Sequence, residues 1–198
     1  MQRRLTSGWR TSAGFSLLEL MTVVIILGVG LALALPDLSS FIRRNQISSA
    51  TNELMSAMTL ARAEAIKRGA PVVICASSDS TTPAPTCTGA WNEGYIVFVD
   101  TNADALRQPA EEVLRTSPAA PARVVVDRNG GEAQIRFAPN GMLSGLSAGT
   151  RLTVRNTSSP SGAKENRVVC VALAGRASAL DERSYDTDPR FAACRALP

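Results

Sequence analysis

The amino-acid sequence predicts an α+β fold, in which a long N-terminal helix with a membrane-spanning first half packs on an antiparallel β-sheet head. Three observations predict it. Residues 15–35 form a continuous apolar run, an apolar stripe at helical spacing follows, and short β-type runs recur between turn signals beyond Pro71. With 198 residues, of which 45% are apolar and 19% charged, the chain has the composition of one folded domain plus an additional segment.

The segment before the apolar run is basic. The formal net charge is +4, and Arg3, Arg4 and Arg10 lie in the first ten residues without an acidic neighbour. About 20 apolar residues span a bilayer as a helix, and basic residues before a span favour a cytoplasmic N-terminus. We therefore expect a single span at 15–35. A cleavable secretory signal is the alternative, but its apolar region is usually about 7–15 residues long and precedes a small-x-small site.

Glu19 is the only charged residue of the apolar run. A carboxylate inside a spanning helix costs about 2.5–3.5 kcal/mol on insertion scales, so it normally has a partner or a task. If the chain were cut after Gly14, Phe15 would become a new N-terminus, and its ammonium on a neighbouring subunit could pair with Glu19. A carboxylate drawn towards the headgroups is the alternative interpretation.

The helical pattern continues beyond Pro36 as an amphipathic segment, residues 36–69. Its apolar and small residues recur three or four positions apart, which places them on one face: Ile47, Ala50, Leu54, Ala57, Met58, Ala61 and Ala65. Lys67 and Arg68 supply last-turn cations, and Gly69 and Pro71 are typical of a helix end. We expect the stripe to pack on a sheet.

The head, residues 70–198, is predicted to be rich in strands. Seven β-type runs lie between turn signals, at 72–76, 94–100, 112–116, 123–127, 133–137, 151–155 and 167–173. The run 151–155 alternates, so Leu152 and Val154 share one face and three polar residues share the other.

The N-terminal motif resembles the processing site of type IV pilins and type II secretion pseudopilins. The resemblance is carried by the basic leader, Gly14, Phe15-Ser-Leu-Leu-Glu19, the apolar run and Pro36. It implies that a prepilin peptidase removes residues 1–14 by cleavage between Gly14 and Phe15, and that Phe15 is N-methylated. It also implies that the helix packs in a filament core, where Glu19 guides subunit addition.

The strand region resembles the GspH/FimT family of minor pilins and pseudopilins, and its cysteines make it most similar to FimT/FimU-type minor pilins. The matching segments are 73–79, 91–100, 137–141 and 169–176, together with Cys87. The resemblance implies a minor pilin at or near the tip of a type IV pilus, with other major and minor pilins as partners. Before assembly the chain would sit in the inner membrane with a periplasmic head, and afterwards in the pilus at the cell surface. A minor pseudopilin of a type II secretion system is the alternative.

Four cysteines in an exported domain indicate disulfides, because the periplasm is oxidising. Three pairings are possible. The sequential one, Cys75 with Cys87 and Cys170 with Cys194, is the simplest topology. A four-thiolate zinc site is the competing interpretation, and no CxxC spacing supports it.

Two further groups of residues are candidate binding sites. Asp100, Asn102, Asp104 and Glu111 stand at ligand positions of a calcium loop, although Ala105 occupies the place where such a loop needs Gly. A solvated hairpin loop is the alternative.

The second group lies in the C-terminal tail, residues 175–198. This tail contains four arginines: Arg176, Arg183, Arg190 and Arg195. In FimT-type proteins of competent bacteria, a Gly-Arg-x-Arg segment takes part in binding DNA. Here Gly175 and Arg176 match it, whereas Ser178 replaces the second arginine. The tail also contains four acidic residues, which weakens attraction to phosphates. Ion pairs on a solvated loop are therefore the alternative to DNA binding.

An enzyme is not expected. The chain contains no His, which excludes Ser-His-Asp triads and His-ligated metals. It also has no Gly-rich phosphate loop. We expect no cofactor.

Overall fold

The computed structural model describes residues 14–129, 134–146 and 149–195, apart from the side chains of 32–38, 129, 190, 193 and 195. These residues belong to two compact units, one ending at Phe41 and the other beginning at Ile42. Helix α1, Leu17–Arg68, contributes to both.

In the first unit, α1 begins at Leu17, and the Ser16 hydroxyl caps it by accepting a hydrogen bond from the Glu19 backbone N–H at 3.2 Å. The large apolar side chains between Phe15 and Leu31 are all exposed, and Phe15 itself is 84% accessible. Within the described residues, we find no helix with both the length and the apolar character that crossing a membrane requires.

In the second unit, one face of α1 is buried. The helix ends at Arg68, directly before Gly69, as the sequence predicts. All seven residues of the predicted stripe are at most 8% exposed: Ile47, Ala50, Leu54, Ala57, Met58, Ala61 and Ala65. Gly69 follows the helix with a φ of +63°, and its N–H donates to the Ala65 carbonyl at 3.0 Å. Glycine adopts this left-handed conformation without steric cost, which explains why the helix stops here.

The strands form two antiparallel sheets rather than one. Sheet A has the order β3-β2-β1-β5-β6, from β1 Val72–Ala76, β2 Tyr95–Val99, β3 Val113–Ser117, β5 Gln134–Phe137 and β6 Leu143–Ser144. Sheet B has the order β4-β7-β8-β9, from β4 Val124–Asn129, β7 Thr150–Asn156, β8 Arg167–Val171 and β9 Ala177–Asp181. The chain passes between the sheets three times, from β3 to β4, from β4 to β5 and from β6 to β7, and the first crossing runs through residues 118–123. This connection contains Pro118 and Pro121, which have no N–H to donate to a ladder.

Three short helical segments follow β9. They are α2 Glu182–Tyr185, a 3-10 turn Pro189–Phe191 and α3 Ala192–Arg195. The seven predicted strand runs correspond to seven of the nine described strands, whereas β6 and β9 were not predicted. β6 has only two residues, and β9 lacks the large β-branched side chains that reveal a strand.

The main core lies between the α1 stripe and the inner faces of both sheets. Sheet A contributes residues such as Ile74 and Phe137, and sheet B contributes Leu152, Val154 and Val169. Small side chains in the stripe, such as Ala57, allow the helix to approach the sheets closely. Two further clusters cover the outer faces of the sheets.

The stripe gives a direct test of this packing. Ala61 is fully buried and Ala63, two positions later, is exposed. Because overpacking a filled core costs about 1–3 kcal/mol, Ala61→Leu is expected to lower the free energy of unfolding by about that amount. The matched variant Ala63→Leu should change it by less than about 0.5 kcal/mol. Urea unfolding of both variants measures the difference, and equal stabilities would contradict the packing.

Candidate functional site

The N-terminal segment of the chain holds the residues of the predicted processing and assembly site. Gly14, Phe15 and Ser16 precede α1, and Glu19 lies in its first turn with its side chain exposed. The Thr22 hydroxyl donates a hydrogen bond to the Glu19 carbonyl at 2.8 Å. The first turn of the helix is thus closed by side chains of its own residues. In residues 14–129, 134–146 and 149–195 no basic group forms an ion pair with Glu19.

The cysteines form two disulfides, Cys75–Cys87 and Cys170–Cys194, which is the sequential pairing. The first attaches the loop after β1 to the outer face of sheet A, where Cys75 is buried beside Ile96 and Phe98. Asp79 organises that loop by accepting hydrogen bonds from the Thr86 backbone N–H at 2.9 Å and the Ser77 hydroxyl at 2.8 Å. These hydrogen bonds lower the pKa of the Asp79 carboxyl, and the bond from the Thr86 N–H has the largest effect.

The second disulfide attaches the C-terminal segment to the outer face of sheet B. Cys170 and Cys194 are buried there with Tyr185 and Phe191, whose rings meet edge to face with centroids 5.7 Å apart. The Arg151 guanidinium lies 5.3 Å from the centroid of the Tyr185 ring. The polar face predicted for β7 is thus covered here by an aromatic side chain.

Hydrogen bonds within the described structure engage the oxygens of residues 100–111 that the sequence offers as calcium ligands, and calcium binding stays a prediction. Asp100 is fully buried and accepts hydrogen bonds from the backbone N–H groups of Asp104 at 3.1 Å and Ala105 at 3.0 Å. Its Oδ2 atom also lies 3.3 Å from Arg136 Nη2. In the described residues, no group of three or more acidic or cysteine side chains is arranged to hold a metal ion.

The other predicted calcium ligands are occupied in the same way. Glu111 accepts from the backbone N–H groups of Thr101 and Gln108, both at 2.9 Å. Asp104 accepts from the Asn102 side chain and from the Leu106 backbone N–H, both at 2.7 Å, and the latter bond is the main cause of its lowered pKa. Amide donors thus satisfy these oxygens, and the cluster closes a turn.

The tail arginines are only partly brought together. Arg176 lies in the turn between β8 and β9, and Arg183 lies in α2; both are exposed. In the described part of the chain neither guanidinium has a hydrogen bond or an ion pair. The side chains of Arg190 and Arg195 lie outside the described residues.

Two of the tail's acidic residues have other partners than these arginines. Asp181 caps α2 by accepting from the Ser184 N–H at 2.9 Å, which is the main cause of its lowered pKa. Glu182 accepts from the Gly162 N–H and the Asn166 side chain, both at 2.7 Å. The ion pairs that the alternative interpretation expects are therefore not formed by Arg176 or Arg183.

The turn that carries Arg176 packs tightly on a second turn. Gly175 has a φ of +74°, and a Cβ atom there would collide with the backbone carbonyl of Gly141. The Arg62 side chain of α1 is beside both glycines. The sequence contains both glycines but gives no sign of this contact, because they are far apart along the chain.

The two glycines predict a mutational contrast. Gly175→Ala adds a methyl group against the Gly141 backbone, whereas Gly162, with a similar φ of +73°, has open space around its Cβ position. Both substitutions incur the left-handed strain of about 1 kcal/mol, so their difference isolates the collision. We expect Gly175→Ala to be clearly the less stable variant in thermal melts. Equal melting temperatures would contradict the close contact.

Comparisons with known proteins agree with these features. The family model described as type II transport protein GspH matches residues 50–175, and the prokaryotic N-terminal methylation motif matches residues 9–35. Pilin-like protein PilA1 of Thermus thermophilus is 39% identical over 102 residues, covering 52% of this chain and 57% of that protein. A fimbrial protein of Pseudomonas aeruginosa is 36% identical over 72 residues, covering 36% and 46%. The chain thus spans about half the length of these curated relatives.

A solved structure shares the fold. The crystal structure of the type IV minor pilin FimU of Pseudomonas aeruginosa is similar with a TM-score of 0.55 and 22% sequence identity. The likeness covers 72% of this chain and 94% of that one.

Proposed function

The chain belongs to the GspH family of minor pilins and pseudopilins, and from that premise we propose that it is a minor pilin that helps a type IV pilus assemble at or near its tip. The observation that carries the proposal is the exposed apolar surface of the N-terminal helix, which contains one carboxylate without an ionic partner in the described residues. Such a surface is stable only in an apolar environment, at about 25 cal/mol per Å² of buried area. A bilayer and then a filament core supply that environment in turn.

The proposed mechanism begins in the inner membrane, where residues 15–35 anchor the precursor and the head is periplasmic. A prepilin peptidase cleaves between Gly14 and Phe15, and Phe15 is N-methylated. The subunit then leaves the bilayer for a bundle of helices formed with other pilins. There the N-terminal ammonium of one subunit pairs with Glu19 of its neighbour, which offsets the cost of burying both charges.

The pairing predicts a specific defect. Glu19→Ala should leave leader removal intact but strongly reduce incorporation, because the buried ammonium of the neighbour loses its partner. Thr22→Ala is the matched control, since among the described residues the Thr22 hydroxyl donates to the Glu19 carbonyl of its own helix. Immunoblots of cell extracts and of sheared filaments measure processing and incorporation separately. Normal incorporation of Glu19→Ala would refute the pairing.

The alternative machine is a type II secretion system, in which the same architecture would serve as a minor pseudopilin of the H type. The head would then contact other tip subunits or cargo. Two observations discriminate between the pilus and the secretion system. The first is whether the neighbouring genes encode a pilus or a secretion apparatus, and the second is whether deletion of the gene for this protein abolishes piliation or protein export. The cysteine pattern favours the pilus.

DNA binding for uptake is a second candidate function, favoured by the exposed guanidinium groups of Arg176 and Arg183, which lack ionic partners in the described residues. The nearby acids Asp181 and Glu182 are held by internal hydrogen bonds. Their carboxylates therefore do not neutralise these arginines by direct contact. Phosphate contacts from exposed arginines give salt-dependent affinity.

The test is a salt series of DNA binding by the purified protein with its disulfides intact. Arg176→Ala should weaken binding at low salt and reduce the salt dependence by roughly one phosphate contact. Arg123→Ala is the control, because Arg123 is exposed and lies in the connection before β4. If the wild-type protein does not bind at low salt, or if both variants behave alike, the DNA function is excluded and the assembly role remains.

A further inference from the structure

A basic pocket lies in the second unit, away from the tail arginines and the processing site. Its volume is about 360 Å³, and it is lined by Arg44, Ser48, Lys164, Glu165 and Arg167. The first two are four residues apart on α1 and share a helix face. Lys164 and Glu165 precede β8, and Arg167 is its first residue. No feature of the sequence signals the pocket, because these two segments are distant along the chain.

One of its cations is held in place by the backbone. The Nη1 atom of Arg167 donates to the carbonyl of Lys164 at 2.8 Å and lies 3.3 Å from that of Asn166. Its Nε and Nη2 atoms have no hydrogen bond in the described part of the chain. A guanidinium fixed in this way loses little freedom when it binds an anion, and its planar fork suits phosphate oxygens.

The pocket retains a positive charge after its acidic residue is counted. Glu165 accepts a hydrogen bond from the Ser159 hydroxyl at 2.9 Å. Its own backbone N–H and this hydroxyl, with a contribution from Arg43 and Arg44, lower its pKa, so the carboxylate is ionised at neutral pH. It balances one of the three lining cations. Asp181, opposite Arg167 in the β8–β9 register, is occupied as the cap of α2.

The position of the pocket along the chain favours a ligand at the membrane surface. Arg44 follows the end of the apolar run, Leu35, by nine residues. Even a fully extended tether of that length reaches no more than about 32 Å. A pocket tethered so close to the proposed anchor lies within reach of phospholipid headgroups before the subunit is extracted.

We propose that this pocket binds the phosphate of an anionic phospholipid headgroup, through Arg44, Lys164 and Arg167, while the subunit waits in the inner membrane. The inference rests on the proposed membrane anchoring. The Ser48 hydroxyl adds a neutral donor to the same ligand. The contact holds the head against the bilayer and is given up when the subunit enters the filament.

The experiment uses the full chain, extracted from membranes in a non-ionic detergent, and native mass spectrometry after addition of phosphatidylglycerol or phosphatidylcholine. Phosphatidylglycerol is expected to be retained preferentially. The double variant Arg44→Gln/Lys164→Gln should lower its apparent affinity by about fivefold for each cation removed. Arg123→Gln/Lys67→Gln, which removes one arginine and one lysine from exposed sites outside the pocket, should change it little.

Each other result overturns the proposal. Equal retention of the two lipids, or equal losses in the two double variants, would mean that no specific headgroup site exists. Pocket-dependent binding of inorganic phosphate without binding of phosphatidylglycerol would assign the site to free phosphate. Pocket variants that keep the lipid but fail to enter filaments would assign it to a contact between subunits. Membrane fractionation of the same variants is a separate readout, because loss of anchoring would contradict the proposed function instead.

Discussion

The head depends on the burial of one helix face against two sheets. The stripe of α1 from Ile47 to Ala65 forms one side of the main core, and sheets A and B both complete the other. Its alanines leave room for the Val, Ile and Phe side chains of the strands. A larger residue at these positions would separate the helix from both sheets at once, since a close-packed core transmits strain. The sheets have no described strand in common, and this helix face packs against both of them in one core.

The outer faces of the sheets are covered in a different way. Each carries a small cluster that a loop or tail closes with a disulfide, Cys75–Cys87 on sheet A and Cys170–Cys194 on sheet B. A disulfide of this kind stabilises the folded state by about 2–4 kcal/mol, mainly because it restricts the conformations of the unfolded chain. Short segments with few apolar residues are thus held where their own burial would be insufficient.

The sequence predicts the features of this fold that repeat along the chain. The stripe of α1 and seven strand runs are visible as periods of 3.6 and 2, because each is a local pattern. The division into two sheets and the strands β6 and β9 depend on contacts between distant segments or on short runs without a pattern. The surroundings of the candidate calcium ligands depend on contacts of the same kind: residue spacing shows where the oxygens of Asp100 and Glu111 occur, but not that the N–H groups of Thr101 and Ala105 donate to them. The resemblance to a pilin leader needed no tertiary structure, since it is carried by consecutive residues.

The contact between Gly141 and Gly175 links the backbone shapes of two turns that are distant along the chain. Gly175 tolerates no side chain while the Gly141 backbone stays in place, and a Cβ atom at Gly141 would instead meet the side chains of Ile66 and Arg62 on α1. The shape of the Gly175 turn therefore depends on that of the Gly141 turn. Arg176 follows Gly175 directly, but its side chain is exposed to solvent. Its side chain is therefore exchangeable without moving the backbone. Related heads with the same pair of glycines would present different chemical groups at one fixed point in space, and the properties of that point would diverge faster than the fold that supports it.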